Sequence, residues 1–160
     1  MRSSRWIVGM LASILLLASA CSKSAPQAAP TPASPVASAS TSAASRDVAV
    51  TLQQWSISAT STTVPAGAIT FSVSDAGTIP HELVVLSTDT PAAKFPIGSF
   101  EGETNRINEH TVGTNVGETG DLQPQATKSI TLNLQPGHYA LVCNLPAHYG
   151  LGMHIDFTVI

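Results

Sequence analysis

Cys143, His148 and Met153 fall within the stretch YALVCNLPAHYGLGMHIDFTV, with four residues in each gap between them. A thiolate, an imidazole and a thioether on one short loop form a soft ligand set, suited to copper cycling between Cu(I) and Cu(II). A type 1, or blue, copper centre also needs a second imidazole, because its trigonal plane is two His and one Cys with a long, weak axial Met. The apolar run IPHELVVL supplies His81 at the start of a predicted strand. The chemistry these residues point to is one copper ion held by His81, Cys143, His148 and axial Met153.

Each residue alone has a plainer reading. Cys is often a small buried hydrophobe, Met a gap filler, and a His beside an apolar strand a satisfied core residue. Zinc competes for two imidazoles and a thiolate, but Met is not among its usual ligands. The order and spacing of the four together favour copper.

The set His81, Cys143, His148 and Met153 is similar to that of the cupredoxins, most of all the plastocyanin-like and sulfocyanin-like group. It also resembles rusticyanin and auracyanin in having four residues in each gap of the ligand loop. The resemblance covers Asp47 to Ile160 and implies an all-β Greek-key antiparallel β-sandwich. Many cupredoxins place Asn or Ser directly after the first His ligand, tying that strand to the ligand loop, whereas this chain has Glu82. The Glu82 carboxyl is expected to accept from Asn144 and replace that tie, with the Glu82 N–H donating to the Cys143 sulfur. The resemblance also implies that His148 reaches the surface in an apolar patch of Pro146, Ala147, Tyr149, Gly150 and Leu151.

The elements that must hold these ligands read as strands. Val48, Val50 and Leu52 alternate with small or polar residues, and Trp55 and Ile57 continue the apolar theme after an expected bulge. VPAG, from Val64 to Gly67, is a predicted turn, and Ile69, Phe71 and Val73 form the next strand. His81, Leu83 and Val85 share one face while Val84 and Leu86 share the other, the mark of a central strand covered on both sides. Ser87 to Thr127 is irregular and leaves a short helix and a long crossover loop both open. Alternation returns at Ile130, Leu132 and Leu134. Tyr139, Leu141 and Cys143 then point one way, as do Met153, Ile155, Phe157 and Val159 beyond the ligand loop. Short strands with turn signals between them predict an antiparallel Greek-key sandwich. Its ligand loop would join the last two strands and meet His81 at an adjacent strand end. His110, His138 and His154 are expected to lie outside the ligand set.

The chain begins as an exported protein does. Arg2 and Arg5, an apolar run from Ile7 to Leu17 and Ala18-Ser19-Ala20 make residues 1–20 a signal peptide. Cys21 follows directly and reads as a lipidation site, with ordinary cleavage at the same bond as the alternative. Of residues 22–46, 21 of 25 are Ser, Ala, Pro or Thr, so 21–46 is a lipidation Cys and disordered linker. A Cys21–Cys143 disulfide is the competing use of the two thiols. The expected location is the periplasmic or cell-surface side, anchored to the membrane through lipid.

Residues 47–160 form one predicted domain, in which three basic residues face ten acidic ones for a formal charge of −7. Nucleic acid is a poor partner for such a surface; the charge would attract a basic redox partner or serve only to keep the domain soluble. A four-ligand copper with no open position has nowhere to transform a substrate. The loop also lacks the His residues flanking Cys of a multicopper oxidase and the second Cys of a binuclear copper site. Not an enzyme but a monomeric one-electron carrier is therefore expected, serving redox proteins such as cytochromes or oxidases. A periplasmic copper-binding or delivery protein is the alternative, although Met153 is the only Met of the domain. A metal-free adhesive sandwich leaves the ligand spacing unexplained.

Overall fold

The computed structural model describes residues 46–160, built almost wholly from strands. The signal peptide, Cys21 and the linker lie outside the described residues, except for Arg46. Chain order runs β1 (Arg46–Gln53), β2 (Ser56–Ala59), β3 (Thr63–Val64), β4 (Gly67–Asp75) and β5 (Val84–Ser87). Next come β6 (Ile97–Phe100), β7 (Glu103–Ile107), a one-turn helix α1 (Glu109–Val112) and β8 (Thr114–Glu118). The chain closes with β9 (Thr127–Leu134), β10 (Gly137–Val142) and β11 (His154–Val159).

Two sheets face each other, one ordered β2-β1-β4-β9 and the other β3-β11-β10-β5-β8, with β6-β7 a separate hairpin. Most pairings are antiparallel, but β1 runs parallel to β4 and β3 parallel to β11. The sandwich is therefore of mixed pairing, which residue alternation along single strands cannot reveal. After Leu52 the chain does not bulge. It turns at Gln54 and Trp55, and β2 folds back antiparallel on β1, pairing Gln53 with Ser56.

The alternation seen in the sequence becomes burial. Val48, Val50, Leu52, Ile69, Phe71 and Val73 of one sheet pack against Leu83, Leu141, Phe157 and Val159 of the other. Phe71 and Phe157 meet edge to face at 5.4 Å across the middle of this core. Aromatic pairs favour such contacts by about 0.5–1.5 kcal/mol beyond burial. Gly67, with φ of +123°, supplies the backbone conformation that the turn before β4 requires.

A second apolar cluster covers the outer face of the second sheet. Val84, Leu86, Ala140 and Val142 pack there against Ala92, Phe95, Ile107, Val112 and Tyr149. This explains the two-sided β5: it lies between β10 and β8, and the 88–113 segment lies over it. The irregular stretch contains a short 3₁₀ turn at Ala92–Lys94, the β6-β7 hairpin, α1 and β8. Pairing across the sheet and against neighbours, not residue period, organises it.

Candidate metal centre

The ligand loop, residues 143–153, connects β10 to β11 at one end of the sandwich. Its two ends are joined by a hydrogen bond from the Cys143 N–H to the Met153 carbonyl at 3.0 Å. Inside the loop, N–H groups of His148, Leu151, Gly152 and Met153 donate to carbonyls three to five residues back. The loop is thus a wound turn that holds its side chains in register.

His81 comes from a different part of the chain. It precedes β5, and both its N–H and its carbonyl pair with Leu122, at 3.1 and 2.7 Å. This bridge fixes the imidazole against the ligand loop. His81 Nδ1 lies 3.2 Å from His148 Nδ1, and Cys143 Sγ lies 3.3 Å from His148 Nδ1 and 4.0 Å from His81 Nδ1. His81, Cys143 and His148 are all buried, with ligand atoms within 4.8 Å of one another. Met153 is fully buried at the end of the same loop.

The electrostatics suit a metal. Burial lowers both imidazoles below the usual histidine range, and His81 adds to the effect at His148. Neutral imidazoles keep the lone pair that a metal needs. Burial also pushes the Cys143 thiol up to about 12, against the opposing N–H donors of Glu82 and Leu145. A thiol this reluctant to ionise alone becomes a thiolate only with a cation to pair with. Two imidazole nitrogens and one sulfur crowded together, the sulfur otherwise facing only backbone N–H donors, fit a soft cation.

Behind the ligands, Glu82 and Asn144 connect the two segments. The Glu82 N–H donates to Cys143 Sγ at 3.4 Å, and the Glu82 carboxylate accepts from the Asn144 backbone N–H at 3.1 Å. The Asn144 side chain turns elsewhere: its Oδ1 accepts from Ile107 N–H at 2.8 Å, and its Nδ2 donates to Ile107 O and Glu109 Oε1. Burial raises the Glu82 carboxyl to about 7, opposed by Arg106, whose guanidinium stands 3.9 Å away.

The chain's other histidines stay outside the cluster. His110 is exposed with its ring against Phe100, His138 pairs with Asp156 at 2.9 Å, and His154 packs on Tyr149. Cys143 carries a free thiol. His148 is itself buried, at 8% exposure, so the surface around it belongs to other residues.

Residues 37–160 match the Sulfocyanin (SoxE) domain. The chain belongs to the sulfocyanin family. Sulfocyanins are blue copper cupredoxins, and in this one His81, Cys143, His148 and Met153 are positioned to bind one copper ion. Among solved structures it is similar to dithionite-reduced auracyanin from Roseiflexus castenholzii, at 23% identity over 72% of this chain and 96% of that one, TM-score 0.49. Auracyanin A, a "blue" copper protein from Chloroflexus aurantiacus, matches at 16% identity over 72% and 99%, TM-score 0.50. Rusticyanin from Thiobacillus ferrooxidans matches at 16% identity over 72% and 77%, TM-score 0.54. At these identities the likeness to rusticyanin and auracyanin A is one of fold. No curated protein matches this sulfocyanin.

Several contributors to the site carried no signal in the sequence. Trp55, Asp75, Gly77 and Glu109 approach the ligands or their supports only through the fold. Gly77 is the sharpest case: a side chain there would begin 2.8 Å from His81 Nε2. Its closeness to His81 is set by how the 76–80 turn folds back, not by any motif.

Proposed function

We propose that this sulfocyanin is an exported one-electron carrier, exchanging electrons with redox proteins at the ligand-loop end of the sandwich. The observation that carries the reading is the buried His81–Cys143–His148 cluster, closed by Met153, within a cupredoxin fold. Copper, when bound, supplies a one-electron couple between Cu(I) and Cu(II). The residues do the rest: the sandwich holds the His81 imidazole from the segment before β5 and the Cys143 thiolate and His148 imidazole from the ligand loop in one arrangement, so that little moves when the charge changes. All four ligands are protein side chains and all are buried, which supports a carrier and not an enzyme.

The location belongs to the same reading. A signal peptide, a lipidated Cys21 and the Ser/Ala/Pro-rich linker would tether a monomeric domain near the membrane on the periplasmic or cell-surface side. No helix among the described residues is long and apolar enough to cross a membrane. The acidic domain would draw in basic redox proteins such as cytochromes, and small, weak interfaces suit a partner that must let go.

The deciding experiment is the visible and EPR spectrum of the copper-loaded chain beside Cys143→Ser. An intense blue thiolate-to-copper band with narrow hyperfine splitting, absent from the variant, is expected. A pale protein, or a copper spectrum indifferent to Cys143, would turn the reading toward copper storage or delivery.

A further inference from the structure

Trp55, Ile97 and Leu151 are 40%, 51% and 51% exposed. Apart from the terminal Ile160 they are the exposed large hydrophobic side chains among the described residues. All three stand at the ligand-loop end. Leu151 is in the loop, Ile97 shares with it an apolar cavity of about 260 Å³, and the Trp55 carbonyl approaches the loop at Gly152. Three separate segments thus carry their exposed apolar side chains to the same end of the sandwich.

Of the three side chains, that of Trp55 is an aromatic ring set directly against the rings of two metal ligands. Its ring stands edge to face against His148, with centroids 5.1 Å apart, and lies 6.5 Å from the His81 ring at 86°. The same indole is 40% exposed while His148 beneath it is 8% exposed. A partner arriving at this end meets the indole before it meets an imidazole.

We propose that Trp55 is the outer contact through which the copper centre exchanges electrons. The partner docks on Trp55, Leu151 and Ile97, and the electron crosses the Trp55–His148 ring contact. The inference rests on the carrier reading and replaces a surface-reaching His148 with a covering indole. An indole offers a large, rigid contact at small entropic cost.

Charge points to the occupant. The β6-β7 hairpin that carries Ile97 runs to an acidic turn at Glu101 and Glu103, roughly 13 Å along the strand. There exposed Glu101, Glu103, Glu118 and Asp121 line a cavity of about 420 Å³. The fitting partner is a redox protein whose cofactor edge is apolar and flanked by Lys and Arg.

Electron self-exchange tests the contact with the protein as its own partner: one copy's Cu(I) loses the electron that another's Cu(II) gains, and no bond forms or breaks. The full chain, copper-loaded, is compared with Trp55→Ser and Trp55→Phe by NMR line broadening, alongside the blue band and midpoint potential. Trp55→Ser should slow exchange by about tenfold, the scale of losing an aromatic hot spot, while Trp55→Phe stays near the parent. Band and potential should stay in place in both. An unchanged or faster rate in Trp55→Ser overturns the proposal, since the indole is then a bystander or a shield. So does an altered blue band, which makes Trp55 a structural support. In the metal-free chain carrying Trp6→Phe, acrylamide should quench the remaining indole and zinc should shift its emission; a protected or unresponsive indole also overturns the proposal. A parent protein without a reversible one-electron couple brings down the carrier reading and this inference with it. Fast parent exchange untouched by Trp55→Ser removes this inference alone.

Discussion

The Glu82 carboxylate accepts a hydrogen bond from the Asn144 backbone N–H at 3.1 Å, across 62 positions of sequence. Because Glu82 follows His81 and Asn144 follows Cys143, this bond fastens the two ligand segments directly behind the metal centre. The Glu82 N–H donates to the Cys143 sulfur from the same side. Glu82→Ala keeps the second bond and removes the first, leaving a buried N–H unpaired at a cost of about 1–3 kcal/mol. The midpoint potential should rise, because a buried carboxylate favours the more positive Cu(II). Voltammetry and denaturant unfolding check both; an unmoved potential would sink the role assigned to Glu82.

Asn144→Ala removes three hydrogen bonds that join the ligand loop to Ile107 and Glu109. Two backbone groups of Ile107 and a carboxylate oxygen then lose a partner in a buried site. A loss of about 3 kcal/mol in unfolding free energy is expected. Urea titration of parent and variant measures it.

Gly77→Ala tests the space behind His81. A Cβ at this position would sit 2.6 Å from Gln54 Oε1, 2.8 Å from His81 Nε2 and 3.0 Å from Asp75 Oδ1. Gln54 is half-buried and would have to give up its two side-chain hydrogen bonds to Thr78 to move, and the bridge with Leu122 holds the His81 backbone in place. Copper affinity should fall by about 10–100-fold, the range for disturbing a ligand's support, with a displaced visible band. Competition against a chelator of known affinity gives the number, and wild-type affinity would show that the turn yields instead.

Tyr149→Phe separates stability from the copper centre. The Tyr149 hydroxyl donates to Ala92 O at 2.7 Å and accepts from Phe95 N–H at 2.9 Å, tying the ligand loop to the 3₁₀ turn. Loss of the hydroxyl leaves two buried backbone groups unpaired, a cost of about 2 kcal/mol. Thermal unfolding should shift down while the blue band holds; a bleached band would mean that the loop depends on this tie to hold its ligands.

Leu151→Lys places a charge in the exposed apolar patch without touching a ligand. Reduction by a protein partner should slow while the copper spectrum is retained, because the patch must be desolvated on docking. Stopped-flow mixing with a reduced cytochrome is a direct measurement. A normal rate would move the docking surface elsewhere.

What the sequence determined by itself is local. Two gaps of four residues set the order of Cys143, His148 and Met153 on one turn, and a soft donor set names its metal whatever surrounds it. Period-2 alternation in β1, β4 and β9 to β11 marked the faces that would be buried, and the two-sided run at 83–86 marked a strand covered twice.

Tertiary structure decided the relations between segments far apart in the chain. The bridge between His81 and Leu122, the turn of Asn144 toward Ile107, and the parallel pairing of β1 with β4 are long-range contacts that no residue period encodes. The 88–127 stretch hid a hairpin and a strand because its pairing partners, more than its own pattern, hold it. The same holds at the surface. A histidine on an apolar loop reads as exposed until the β1-β2 turn lays Trp55 over it, and which of the two faces a partner depends on packing across the end of the sandwich.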